Sequence, residues 1–321
     1  MTVCVATLFR WNYAKAGSPP EFQICAIVAS DRMITAGDVK YEPSQLKIAM
    51  MTSRTMVLVA GDYAVHSQAI QDTRRVIQGA RDQSPENIAK LYGKSIQTIK
   101  QRRAEDLYLT PLGMNSDTFI AQQKDMADSF IDRITNQLQS YEGEAVEALV
   151  VGSDTKDVHL YLVDSRGISH CMDDVGFAAI GIGGWHARSR FMQAGYTNQS
   201  MFAQALAVTF AAKRAADIAP GVGEFTDVYL VMKDNYFPLW ENVNKKLHDL
   251  YKSASDGITQ IVVDSISSLD AYIVTPEAYQ SNEQQPKTPV TDSQSNEGAA
   301  SPTAEAARKD EDGSAKTVDY D

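Results

Sequence analysis

Met1-Thr-Val-Cys-Val-Ala6 opens the chain. It starts an apolar, β-branched run that continues to Phe9, so residues 2–9 read as a strand with a hydroxyl at its head. Thr2 has a small side chain, and a methionine aminopeptidase is expected to remove Met1 and leave Thr2 first. A terminal threonine carries a hydroxyl and its own free α-amine on one residue, a nucleophile and base pair suited to covalent catalysis. Many chains begin Met-Thr with no chemistry attached, so this reading depends on what lies downstream.

A second strand, FQICAIVAS at 22–30, follows across RWNYAKAGSPPE, whose Gly-Ser-Pro-Pro is a turn signal. RMITAG (32–37), LKIAMM (46–51) and TMVLVAGD (55–62) extend the strand group. Strands this apolar on both faces need cover on both sides. From Tyr63 to about Tyr141 the period becomes helical: Val65, Ile70, Val76 and Ile77, then Ile88, Leu91, Tyr92, Ile96 and Ile99. Ser84-Pro85 is a helix start with proline at the first position. Asn115 opens one further long amphipathic segment, expected to run to about Gly143.

A second strand group occupies 148–184, with a tight turn at 164–167. Helices are expected at about 185–197 and 200–217, a strand at 227–234, and a mostly helical stretch from Leu239 to about Leu269. Strands, helices, strands, helices in blocks predict an α+β chain, an αββα four-layer sandwich with two facing sheets between helix layers; two separate α+β domains would give the same order. The expected divisions are a 2–235 domain, a 236–274 helical extension, and a tail at 275–321.

The tail is poor in aliphatics and rich in Pro, Gln, Ser, Glu and Asp, a composition expected to stay disordered. It holds ten acidic and four basic residues, so −6 of the net −11 belongs to it and −5 to residues 1–274. A mildly acidic body with no basic face argues against nucleic acid or an anionic membrane as partner. Cys4, Cys25 and Cys171 lie far apart in apolar runs, which reads as small core residues in a reducing compartment. With no leader pattern and no apolar run of about 18 residues, a soluble cytoplasmic protein is expected.

An activated threonine needs a cation, a carboxylate to fix it, and an oxyanion donor. Asp31 ends the second strand, Lys47 lies 16 residues on, and Gly61 another 14 on, at a strand–helix junction. Glycine there allows close backbone approach, and an amide near a helix start suits an oxyanion. A lysine opening an apolar strand is unusual, and an adjacent aspartate would tune its pKa. Lys47 as an edge charge and Asp31 as a turn residue remain the plain alternatives.

MTVCVA, ASDR, Lys47-Ile48, VAGD, EALVVG, HLYLVDSRG and FAAIGIGGWHARSRFMQ together resemble proteasome β subunits and their bacterial relatives. Those relatives include the peptidase subunit of the two-component protease and the ancestral-type β homologues. The similarity runs in order over about residues 2–235, and both spacings, 16 and 14, fit. The resemblance implies an N-terminal nucleophile hydrolase fold with Thr2 as nucleophile and its freed amine as base. Lys47 would support that base, Asp31 would pair with Lys47, and the Gly61 amide would hold the oxyanion. A further family aspartate aligns with Asp217. It also implies a peptide or protein substrate, self-association into a ring or related oligomer, and room for an unfoldase partner, with no cofactor and no metal.

The chain departs from the family in three places. Ile182 stands in Gly-Ile-Gly where active members read Gly-Ser-Gly. The Asp217–Gly223 turn lacks a serine and has two extra residues. The first hairpin is long, which leaves strand pairing intact. The alternative expectation is therefore a silent β-like subunit with a structural or interaction role. Other candidates are weaker: Gly181–Gly184 lacks the dinucleotide fingerprint, and the five histidines show no metal-ligand spacing.

Overall fold

A computed structural model describes residues 2–14, 19–36, 39–41 and 47–274. β1 (Cys4–Asn12) and β2 (Phe22–Asp31) form a hairpin in register from Cys4 opposite Ser30 to Asn12 opposite Phe22. β3 (Ile34–Ala36) and β4 (Val39–Tyr41) make a short antiparallel pair. β5 (Ile48–Met50) and β6 (Thr55–Gly61) lead into α1 (Tyr63–Ile77), α2 (Pro85–Tyr108), α3 (Ser116–Gln122) and α4 (Asp128–Gln139). β7 (Val146–Ser153), β8 (Val158–Val163), β9 (Ser169–Cys171) and β10 (Phe177–Ile180) follow. α5 (Gly184–Gln193), α6 (Phe202–Ala216), β11 (Thr226–Val231), β12 (Tyr236–Pro238) and α7 (Glu241–Val274) complete the order.

The long strands make two five-stranded antiparallel sheets, ordered β10-β1-β2-β11-β12 and β5-β6-β7-β8-β9. Side chains alternate across a strand, and β1 shows where each face goes. Cys4, Ala6 and Leu8 pack with Leu58, Leu149, Val151 and Leu160 between the sheets. Val3, Val5 and Phe9 point the other way, onto Ala187, Phe191, Ala205 and Ala212 of α5 and α6. The outer face of the second sheet, through Val57, Val59, Ala148 and Val150, packs on Val65, Ala69, Ile88, Tyr92 and Ile96 of α1 and α2. Each fully buried Leu, Ile or Phe in these layers contributes roughly 1.5–3 kcal/mol. The chain is thus a mixed α+β protein in which two antiparallel sheets share one core and carry helices on their outer faces.

Local signals fix the helix starts. Asp62 caps α1 by accepting the Val65 N–H at 2.8 Å, and Ser84 caps α2 with Pro85 behind it. The segment opened by Asn115 differs from the single helix expected. It has a capping box at Asn115 and Thr118, but Met126 is extended (ψ 153°) and the chain restarts as α4. The break lets Met126, Phe130, Ile131 and Ile134 gather with Leu109 and Phe119 in one small core.

Residues 236–238, expected within a helical extension, instead form an edge strand with Tyr229 opposite Pro238; an edge tolerates proline because its N–H is not needed there. The described residues up to 259 belong to one compact unit and those from 260 to 274 to a second. Within the first, Asn244 on α7 donates to the carbonyls of Thr226 (3.1 Å) and Leu239 (3.2 Å), and Tyr251 meets Phe210 edge-on at 6.1 Å. The expected tail at 275–321 lies outside the described residues. Among the described residues no helix is long and apolar enough to cross a membrane.

Candidate active site

The β1–β2 register sets the site. With Cys4 opposite Ser30, Thr2 and Asp31 fall at the same end of the first sheet. The Thr2 hydroxyl donates to Oδ1 of Asp31, and Nζ of Lys47 donates to Oγ1 of Thr2. Nζ also reaches both Asp31 oxygens, at 2.9 and 3.0 Å. Thr2 and Asp31 are buried, and the Lys47 side chain is 10% exposed. Lys47 comes from just before β5 in the second sheet, where its carbonyl accepts the Val59 N–H at 3.1 Å. Three residues separated by 29 and 16 positions thus meet where the two sheets abut.

Asp31 is heavily satisfied. Oδ1 also accepts the Val3 N–H at 2.9 Å, and Oδ2 accepts the N–H groups of Met33 (3.1 Å) and Gly223 (2.9 Å). Donors aimed at a carboxylate stabilise its charged form and fix its plane. Lys47 is therefore held beside the threonine oxygen by a rigid counter-ion.

The Gly181-Ile-Gly-Gly184 turn closes on the other side of Thr2. Gly181 has φ +83°, and a Cβ there would lie 2.3 Å from the Thr2 carbonyl oxygen. The same carbonyl accepts the Gly183 N–H at 3.3 Å. Gly181 is demanded by this approach, and a Cβ on Gly183 would instead meet the side chains of Ala216 (2.9 Å) and Val3 (3.0 Å); Ile182 between them is 48% exposed. Glu147 on β7 accepts the Gly181 N–H at 2.9 Å and ties the turn to the second sheet.

Gly61 ends β6 at φ +114°, and a Cβ would meet the Ala145 carbonyl oxygen at 2.0 Å. It lies two residues beyond Val59 and immediately before the α1 cap. His66 braces this junction: Nε2 lies 2.9 Å from the Ala60 carbonyl and Nδ1 lies 2.7 Å from the Tyr92 hydroxyl. A carbonyl only accepts, so Nε2 carries the proton and Nδ1 receives the tyrosine O–H. Burial lowers the His66 pKa, which keeps this neutral form.

Asp217 is engaged elsewhere. Its carboxylate pairs with Lys213 at 2.9 Å and Arg214 at 2.8 Å, and burial raises its pKa. The structure therefore brings Thr2, Asp31 and Lys47 into direct contact, sets Gly61 on the strand that flanks Lys47, and gives Asp217 its own ion pairs.

A pocket of about 330 Å³ opens beside Lys47, lined by Ala49, Val59, Tyr63, Ser67, Ile70 and Arg74 among others. Cys4 donates to the Val59 carbonyl at 3.4 Å, and burial pushes its thiol up to about 12, so it stays protonated. Cys4 and Cys25 are core residues, whereas Cys171, expected in the core, is exposed because it ends the edge strand β9.

Glu147 and Gly223 were not visible as site residues in the sequence. Glu147 left one trace, a lone charge in the apolar run Ala-Val-Glu-Ala-Leu-Val-Val. Gly223 showed only as the end of the Asp217–Gly223 turn, since its contribution is a main-chain N–H that any residue carries. No model of a known protein family matches the chain, and no curated protein matches it in sequence.

Proposed function

We propose that this protein is an N-terminal-threonine amide hydrolase, a peptidase with the fold and assembly of the proteasome β-like N-terminal nucleophile hydrolases it resembles. One observation carries the reading: the Thr2 hydroxyl sits against a buried Lys47–Asp31 pair, at the position the resemblance assigns to a nucleophile. Removal of the residue preceding Thr2 frees the α-amine. That amine takes the hydroxyl proton as Oγ1 attacks the substrate carbonyl, and the Lys47 ammonium stabilises the developing alkoxide. The Gly61 N–H serves the tetrahedral oxyanion. As the C–N bond breaks, the α-ammonium returns its proton to the leaving amine, and water activated by the same amine then cleaves the ester.

The pocket beside Lys47 takes a substrate side chain. Exposed Trp185 (72%) and Met192 (70%), seven residues apart on α5, support self-association of the chain. The decisive experiment joins intact-mass measurement with an epoxyketone, which closes a ring only onto a free amine and hydroxyl of one residue. A single adduct on Thr2 is the expected result. Retention of the preceding residue, or no adduct, sinks the hydrolase and leaves the silent β-like subunit.

A further inference from the structure

α6 carries a lysine that this chemistry leaves unused. The Lys213 side chain is 0% exposed. Its Nζ donates to the carbonyls of Gly223 (2.8 Å) and Glu224 (3.1 Å) and lies 2.9 Å from Oδ1 of Asp217. An ammonium has three N–H donors, and three acceptors surround this one. Burying an ammonium is costly even when it is paired, and burial accordingly lowers the Lys213 pKa against the pull of Asp217. A long aliphatic residue would fill the same space without that cost.

What the charge gains is a grip on the loop between α6 and β11. The Gly223 carbonyl bonded to Lys213 belongs to the residue whose own N–H lies on Oδ2 of Asp31 at 2.9 Å. Asp31 in turn holds Lys47 and the Thr2 hydroxyl. Asp31 also lies near enough to raise the Lys213 pKa through its charge. The path from α6 to the nucleophile is a lysine, one glycine and one carboxylate.

We propose that Lys213 is a positioning residue: its buried ammonium pins the 223–224 loop so that the Gly223 N–H fixes the Asp31 carboxylate, and through it Lys47 and Thr2. The role rests on the Thr2 reading above. Asp217 is then the counter-ion of Lys213, which accounts for an aspartate close to the site but bonded away from Thr2.

Lys213→Met removes the charge at nearly constant length. The paired variant Lys213→Met/Asp217→Asn also removes the stranded carboxylate and covers a failure of the single variant to fold. The readouts, on folded protein, are the rate of epoxyketone capture at Thr2 and the ¹³C chemical shift of the Asp31 carboxyl in protein carrying labelled aspartate. Capture is expected to slow between about 10- and 100-fold, the penalty of misaligned reacting groups. The epoxyketone concentration that half-saturates capture should stay unchanged, because the pocket beside Lys47 is untouched. The Asp31 carboxyl resonance should shift as its Gly223 donor loosens. A purely structural lysine would lower the melting temperature and leave the capture rate of the folded protein and the Asp31 resonance unchanged. Wild-type capture rate and an unmoved Asp31 resonance in the folded paired variant overturn the proposal while the Thr2 reading stands. If wild-type protein resists capture yet Asp31 still shifts in the variant, the Thr2 reading falls and the grip of Lys213 on Asp31 survives.

Discussion

Asp31 is where the stability and the chemistry of the site coincide. Thr2→Ala deletes one buried hydroxyl and its bonds, a loss of about 1 kcal/mol, so the folded protein should survive with its hydrolytic activity abolished. Asp31→Ala strands Lys47, 10% exposed, without its counter-ion, and breaking a buried pair costs about 3–5 kcal/mol. Urea melts of the two variants should therefore separate by several kcal/mol; equal midpoints would mean that the Lys47–Asp31 pair is not a structural element. Lys47→Met should lower turnover by about 10²-fold or more, since it removes the charge beside the attacking oxygen. At this scale the sequence was informative only where spacing repeats a known pattern. The meeting of Asp31 and Lys47 was legible through their interval of 16, and Gly61, 14 further on, through its place at the strand–helix junction. Glu147 acts on a residue 34 positions away and Gly223 on one 192 positions away, and no local pattern encodes such contacts.

Elements were legible to the extent that they bury one kind of surface along their length. The apolar runs of β1, β2, β6 and β7 announced themselves, as did the helical period of α1 and the capped start of α2. β12 did not, being a three-residue edge whose pairing is decided by β11. The split between α3 and α4 also escaped, because amphipathic period continues across a break made by tertiary packing. The β10–α5 turn yields a sharper test. Gly181→Ala adds a methyl 2.3 Å from the Thr2 carbonyl oxygen at φ +83°. The left-handed backbone alone costs about 1–2 kcal/mol, and the contact must displace Thr2, so activity should drop further than stability. Ile182→Ser, at a half-exposed position, should alter stability by less than about 0.5 kcal/mol. If a hydroxyl there assists proton transfer, turnover rises; unchanged turnover means the turn works as built around isoleucine.

For the whole molecule, two histidines make opposite claims on pH. Burial lowers the pKa of His66 from 6.5, with the Ala60 carbonyl and Asp62 opposing. Above 6.5 both folded and unfolded states hold it neutral; as pH falls below that value the unfolded chain takes up the proton first, and stability declines. His159 behaves the other way. Its Nδ1 bonds Asp173 at 2.7 Å and its Nε2 lies 3.3 Å from Asp154, and these partners raise its pKa to about 9. The stabilisation from the charged ring is fully present below 6.5 and is lost as pH climbs through 9. The melting temperature should therefore peak near pH 6.5 and fall on both sides. His159→Gln keeps a polar side chain but cannot titrate, so it should lower the maximum and flatten the alkaline limb while leaving the acid limb in place. Calorimetry of both proteins from pH 5 to 9.5 decides it: parallel alkaline limbs would show that the Asp154–His159–Asp173 bridge carries no charge-dependent share of the fold.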